Sequence, residues 1–154
     1  MDGRNAVRER ALTHFSQGYN CAQSVLLAMF EYWSGKSDLI PKIATGFGGG
    51  MGSCGSVCGA LTGGLMALGI RYAANEPPSS GSSLEKKTQT YERAQRLYKQ
   101  FETQHGSVLC RELLGYDVSN HEEVEKMRKG RLHDDKCIAF VANTAEMLVQ
   151  LSED

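Results

Sequence analysis

The chain has 154 residues and a formal net charge of -1, with 17 basic and 18 acidic side chains interspersed along it. That balance excludes the basic stripe that nucleic acid or an anionic lipid surface would select. The length suits one domain, residues 1–154, able to bury a core without covalent staples.

The start, Met1-Asp-Gly-Arg-Asn-Ala-Val-Arg, lacks the apolar stretch of a secretory signal, so a cytoplasmic protein is expected. Val7, Ala11 and Phe15 mark a first helix that Gly18 should end. Asn20 reads as the N-cap of a second helix, with Gln23 completing a capping box. That helix carries Ala22, Val25, Met29 and Trp33 inward and should stop near Gly35. Ser37 is placed to cap a short third helix from about Asp38 to Thr45.

From Lys42 to Arg71 no charged residue intervenes, a span long enough in principle to cross a membrane. Its first half is a glycine-rich loop, Gly46 to Gly55, whose backbone amides lipid cannot satisfy. The second half, Val57 to Tyr72, reads as a helix apolar nearly all round, which belongs at the centre of a bundle rather than in a bilayer. Gly59, Gly63 and Gly64 cost helix propensity there but admit close backbone approach. The expectation is an all-α fold, a compact multi-helix bundle around this central Gly-rich helix, without membrane insertion.

Pro77 to Ser82 reads as a loop or hinge, followed by a long helix from Ser83. Leu84, Lys87, Tyr91, Ala94, Tyr98, Phe101 and His105 recur at steps of three and four. Packing on the protein's own core is the preferred reading of that stripe, and a homodimer contact the lesser one. Gly106 ends the helix, Ser107 begins a short one through Leu114, and Gly115 closes it. A polar connection from Tyr116 to His133 holds a candidate helix over Glu122–Lys129. The last helix runs from about Asp135 to Leu151, with Ile138, Val141, Ala145 and Leu148 on one face.

Five cysteines, Cys21, Cys54, Cys58, Cys110 and Cys137, are odd in number and widely spaced, which argues against a purely structural disulfide framework. Cysteine also serves as a small core hydrophobe, so inert packing is a rival reading. By the boundaries above, Cys21, Cys58, Cys110 and Cys137 each fall in the first turn of a helix, Cys58 with Ser56 as a plausible cap. Partial positive charge and unpaired amides at a helix N-terminus favour thiolate, the form that attacks disulfides and binds metals. Cys54 and Cys58 share one helical face only if the helix already starts at Ser53.

Rival motifs carry less. Gly50-Met-Gly52-Ser-Cys-Gly55 matches G-x-G-x-x-G, but no strand or βαβ unit surrounds it. The glycines of this loop suit either close approach to a sulfur cluster, an anion or a second thiol, or a tight connection between packed helices. His14, His105, His121 and His133 lack ligand spacing and read as surface or helix-end groups.

The segment Cys58-Gly-Ala-Leu-Thr-Gly63 resembles the CGAxxG motif of the C_GCAxxG_C_C family, described as redox-active. Gly18-Tyr-Asn-Cys21-Ala-Gln-Ser-Val resembles its first cysteine segment, and Gly46-Phe-Gly-Gly-Gly-Met-Gly its glycine loop. Gly106-Ser-Val-Leu-Cys110-Arg-Glu-Leu-Leu-Gly resembles the third segment and Cys137 with its apolar helix the fourth. The resemblance implies that Cys21, Cys58, Cys110 and Cys137 are the family cysteines and Cys54 an addition. A related module in split-Soret cytochromes is associated with an iron–sulfur centre. This chain lacks C-x-x-C-H, so covalent haem is not expected.

The leading expectation is that Cys21, Cys58, Cys110 and Cys137 gather at one end of the central helix, as catalytic thiols for thiol–disulfide or electron transfer with a redox partner yet to be named. Cys58 is expected to be the most reactive thiol, because its glycine-rich approach leaves it accessible, and Cys21 its resolving partner. The alternative is that the same four residues are metal ligands, holding an iron–sulfur cluster or zinc. A structural or adaptor protein with cysteines simply packed in the core is the third reading.

Overall fold

The computed structural model describes residues 2–154, apart from the side chains of Leu132 and His133. Helix α1 (Gly3–Ser16) is capped by Asp2, whose carboxylate accepts from the Arg4 amide. Helix α2 (Cys21–Tyr32) begins with the expected capping box. Asn20 Oδ1 accepts from the Gln23 amide at 2.9 Å and Gln23 Oε1 accepts from the Asn20 amide at 3.1 Å.

The expected α-helix over 38–45 is absent. A 3₁₀ helix, Lys42–Phe47, starts only after Pro41, which follows a cis peptide bond. Proline supplies no amide and keeps the residue before it out of the α region, so a regular helix cannot run through that position. Ser37 still turns the chain, accepting from the Leu39 amide.

Helix α3 (Gly59–Tyr72) is the centre of the bundle: Gly59 to Gly64 are all buried, as are Ala67 and Leu68. It packs on α2, on α4 (Gly81–His105) and on α7 (Leu132–Glu153), while α1 packs on α2 and α7. Each helical glycine costs about 1 kcal/mol against alanine. Burying Leu61 and Leu68 offsets this at about 1.5–3 kcal/mol per side chain, so packing rather than propensity keeps α3 helical. Gly63 permits the contact with α2, since a Cβ there would collide with the Ala22 carbonyl oxygen.

On α4 the buried residues are Leu97 and Phe101, whereas Leu84, Tyr91 and Tyr98 are exposed. The expected stripe therefore holds at Ala94, Phe101 and His105 and fails at Leu84, Lys87, Tyr91 and Tyr98. The inner face follows Ala94, Leu97, Phe101 and His105, and the tyrosines lie outside it. Short helix α5 (Cys110–Leu114) ends at Gly115 in the left-handed region (φ 80°). Helix α6 (His121–Lys129), capped by Asn120, has no buried residue and packs on α7.

The fold is all-α. Among the described residues the one sheet-like feature is an isolated antiparallel bridge between Val57 and Leu109. No helix among them is long and apolar enough to cross a membrane.

Candidate functional site

Local chemistry positions each thiol separately. Cys21 is the first residue of α2, placed by the capping box, and Cys110 is the first residue of α5. Cys58 is not in the first turn of α3 but just before it, as the N-cap residue itself, and Ser56 does not cap the helix. Cys137 lies deeper than expected, in the second turn of α7, because that helix starts at Leu132 rather than near Asp135. The shared first-turn placement therefore holds for Cys21 and Cys110 alone.

The Val57–Leu109 bridge ties two of these segments together. The Cys58 amide donates to the Val108 carbonyl at 2.8 Å, and the Cys110 amide donates to the Ser56 carbonyl at 2.7 Å. Cys58 and Cys110 thus share one face of the bridge, on the diagonal. Diagonal neighbours in such a ladder stand roughly 7–8 Å apart, whereas a disulfide brings its Cβ atoms to about 3.8 Å. These two thiols are neighbours without being a ready-made disulfide.

Cys21 joins them from the other side, its sulfur lying over Gly59, the residue after Cys58. Cys137 arrives on α7, which Lys136 ties to α5 by donating from Nζ to the Leu114 carbonyl at 3.0 Å. The four thiols raise one another's pKa, so they lie within mutual electrostatic reach. Cys21 acts in this way on each of Cys58, Cys110 and Cys137. Among the described residues, no three His, Cys, Asp or Glu groups are arranged to hold a single metal ion.

Burial is the main influence on all four. It pushes Cys110 up to about 11 and raises Cys21, Cys58 and Cys137 as well, because a low-dielectric surrounding disfavours thiolate. Backbone amides oppose it: those of Gly49, Ala22 and Ala60 act on Cys21, and those of Ala60 and Leu61 on Cys58. Desolvation outweighs the helix-terminus effect, so these are neutral thiols at pH 7 unless something binds or opens the site. Cys58, expected to be accessible, is only 4% exposed. Its glycine-rich approach covers it instead of opening it.

The cover is the loop between the 3₁₀ helix and α3. Gly49, Gly50, Met51, Gly52 and Ser53 all have φ between 59° and 69°, a run in the left-handed region. Such a run is costly for Met51 and Ser53 and feasible because glycines alternate with them. It bends the chain so that the Gly49 amide reaches the Cys21 sulfur and Gly50 packs on the Cys110 Cβ. Cys54, on the same loop, is the exposed cysteine of the five.

Tyr116, within the polar connection expected from the sequence, belongs to the site. Its buried phenol is pushed up to about 12 by desolvation first and then by Cys137 and Cys110. The available signal was its place directly after Gly115, where the chain leaves α5 toward the Cys137 helix. The histidines do not join the thiols. His14 pairs with Glu31 at 3.1 Å, His121 is an exposed first residue of α6, and His105 stacks on Phe101 and Phe140. The His133 side chain lies outside the described residues.

Comparison with known proteins bears on these cysteine segments directly. Residues 19–151 match the family described as "Putative redox-active protein (C_GCAxxG_C_C)". The chain belongs to the C_GCAxxG_C_C family. An uncharacterized protein of Archaeoglobus fulgidus is 23% identical over 163 residues, which takes in 100% of this chain and 98% of that protein. No solved structure matches. The family match takes in all five cysteines and runs from just before α2 into α7.

Proposed function

We propose that this C_GCAxxG_C_C protein is a thiol-based redox protein in which Cys21, Cys58, Cys110 and Cys137 exchange electrons as dithiol and disulfide. The observation that carries this reading is the convergence of three buried thiols and the half-buried Cys21 from α2, α5, α7 and the N-cap of α3, all within electrostatic reach of one another. Cys21 and Cys58 form the first pair: the Cys21 thiol and the Cys58 thiol lose two electrons and two protons to an acceptor and gain one S–S bond. Closeness of the Cys21 sulfur to Gly59 supports that pairing, and the diagonal offset of Cys58 and Cys110 argues against theirs. A reducing compartment such as the cytoplasm is where such thiols would start each cycle as free thiols.

A second reading rests on the same convergence: four thiolates are a donor set for an iron–sulfur cluster. Such a centre would supply one-electron transfer, and Cys21, Cys58, Cys110 and Cys137 would hold it. A single zinc ion fits less well, because it needs all its sulfurs within about 2.3 Å of one point.

Purification without oxygen, followed by assay of iron, zinc, labile sulfide and free thiols, decides between them. Metal-free protein whose mild oxidation yields a Cys21–Cys58 disulfide on peptide mapping is the expected result. Stoichiometric iron and sulfide, with the four thiols masked, would replace the disulfide mechanism by the cluster.

A further inference from the structure

Cys58, Cys110 and Cys137 are buried and Cys21 is half-buried, so an external disulfide meets none of them as readily as an exposed thiol. Cys54 is different. It is exposed, and it sits on the loop whose Gly49 and Gly50 cover Cys21 and Cys110. The C-terminal arm of that loop is bound to the start of α5: the Ser56 carbonyl accepts from the Cys110 amide, and the Gly55 carbonyl accepts from the Arg111 amide at 3.2 Å. Cys54 is therefore the surface thiol whose backbone neighbours are hydrogen-bonded beside Cys110.

We propose that Cys54 is the entry thiol of the site, taking oxidation from an external disulfide and passing it through Cys110 to the buried thiols. This rests on the thiol–disulfide reading above. The Cys54 thiolate attacks one sulfur of a disulfide RS–SR, forming Cys54–S–S–R and releasing RS⁻, which takes up a proton. Lifting Gly50 off Cys110 lets the Cys110 thiolate attack the Cys54 sulfur, and the second RS⁻ leaves as RSH. Cys21 then attacks the Cys110 sulfur, Cys54 departs as thiol, and the disulfide has moved inside the bundle. Two electrons and two protons have passed from the protein to RS–SR, which ends as two RSH. The left-handed run through Met51 and Ser53 supplies a loop that gains by relaxing, which suits an element that must open.

The test uses the reduced, metal-free full chain and dithiobis(nitrobenzoate), a small aromatic disulfide whose released thiolate is coloured. Wild type is expected to release the first half of the reagent in a bimolecular phase and the second in a phase independent of reagent concentration. Peptide mapping should then find the disulfide among Cys21, Cys58, Cys110 and Cys137. Cys54→Ser should lose both phases while keeping its thermal midpoint, since the side chain is exposed. Cys110→Ser should keep the first phase and hold the reagent as a stable mixed disulfide on Cys54.

Formation of the buried disulfide in Cys54→Ser at the wild-type rate would overturn the relay and leave the thiol reading standing. A covalent dimer through Cys54, with the buried thiols still reduced, would overturn it too. Wild-type protein that holds the mixed disulfide on Cys54 and forms no internal disulfide would overturn both the relay and the reading beneath it.

Discussion

The Cys21 sulfur fills the space that a side chain on residue 59 would need. A Cβ on Gly59 would collide with Sγ and stand 2.9 Å from the Phe47 carbonyl oxygen. Glycine at this position is what lets the first cysteine of α2 lie against the start of α3, beside Cys58.

Gly59→Ala is accordingly expected to destabilise the protein by about 1–3 kcal/mol, the usual cost of overpacking a tight contact. It should also move Cys21 away from Cys58. Gly69→Ala on the same helix is the control, because its Cβ would meet nothing within 4 Å. That variant should gain about 0.5–1 kcal/mol from helix propensity alone. Urea midpoints of the two variants, with the yield of the Cys21–Cys58 disulfide, check the contrast. Similar effects from both would mean that Gly59 is not shaped around the sulfur.

Asn20 holds more than the end of α2. Besides the capping box, its Nδ2 donates to the Thr45 carbonyl at 3.0 Å, and Gly48 packs on its side chain. Asn20→Ala should cost about 0.5–2 kcal/mol as a lost cap. It should also loosen the glycine loop, read as faster alkylation of Cys21. Asn20→Asp keeps an acceptor for the Gln23 amide but cannot donate to Thr45. It should retain most of the stability while still speeding alkylation. Equal alkylation rates in both variants and wild type would show that Asn20 acts on α2 alone.

Much of this arrangement was legible in the sequence because it is local. The Asn20–Gln23 capping box, the stops at Gly106 and Gly115, and the apolar run of α3 are each set by a few adjacent residues. The four family cysteines were legible through their motif segments. What escaped depends on contacts distant in the chain. Whether the loop opens or covers Cys58 turns on Gly50 meeting Cys110, sixty residues away in sequence. Tyr116 enters the site because the Lys136–Leu114 tie brings α7 to α5, which no local pattern encodes. The stripe on α4 fails at Tyr91 and Tyr98 because helical spacing fits more than one face when aromatic rings stay outside. Pro41 is a local signal, and it replaces the expected helix over 38–45 by a 3₁₀ helix that starts after it.

His105 offers an acid-side test away from the thiols. Its ring centroid stands 4.6 Å from that of Phe101 and 5.0 Å from that of Phe140, and its buried Nε2 has no hydrogen-bond partner. Burial lowers its pKa below the ordinary 6.5, so the folded state keeps it neutral. The unfolded chain takes the proton first as pH falls. Stability from this residue is therefore present above about pH 6.5 and lost as pH drops through the folded value. His105→Leu should flatten the fall in thermal midpoint between about pH 6.5 and pH 5. An unchanged slope would place the acid sensitivity elsewhere.

The buried thiols make the opposite prediction on the alkaline side. Cys110 is held at about 11, and Cys21, Cys58 and Cys137 are also raised, against an ordinary value of 9.0. In the unfolded chain all four ionise near that ordinary value, so there the unfolded state sheds protons first. Their contribution is fully present below about pH 9 and is lost as pH climbs through the folded values. Each thiol can tilt the curve by up to about 1.4 kcal/mol per pH unit in that window. The urea midpoint of reduced, metal-free protein should thus drop steeply between about pH 9 and pH 10.5, and Cys110→Ala should make the drop shallower. A metal centre bound by the four sulfurs would already have displaced their protons, so a profile that is flat until the metal is removed would favour the cluster over free thiols.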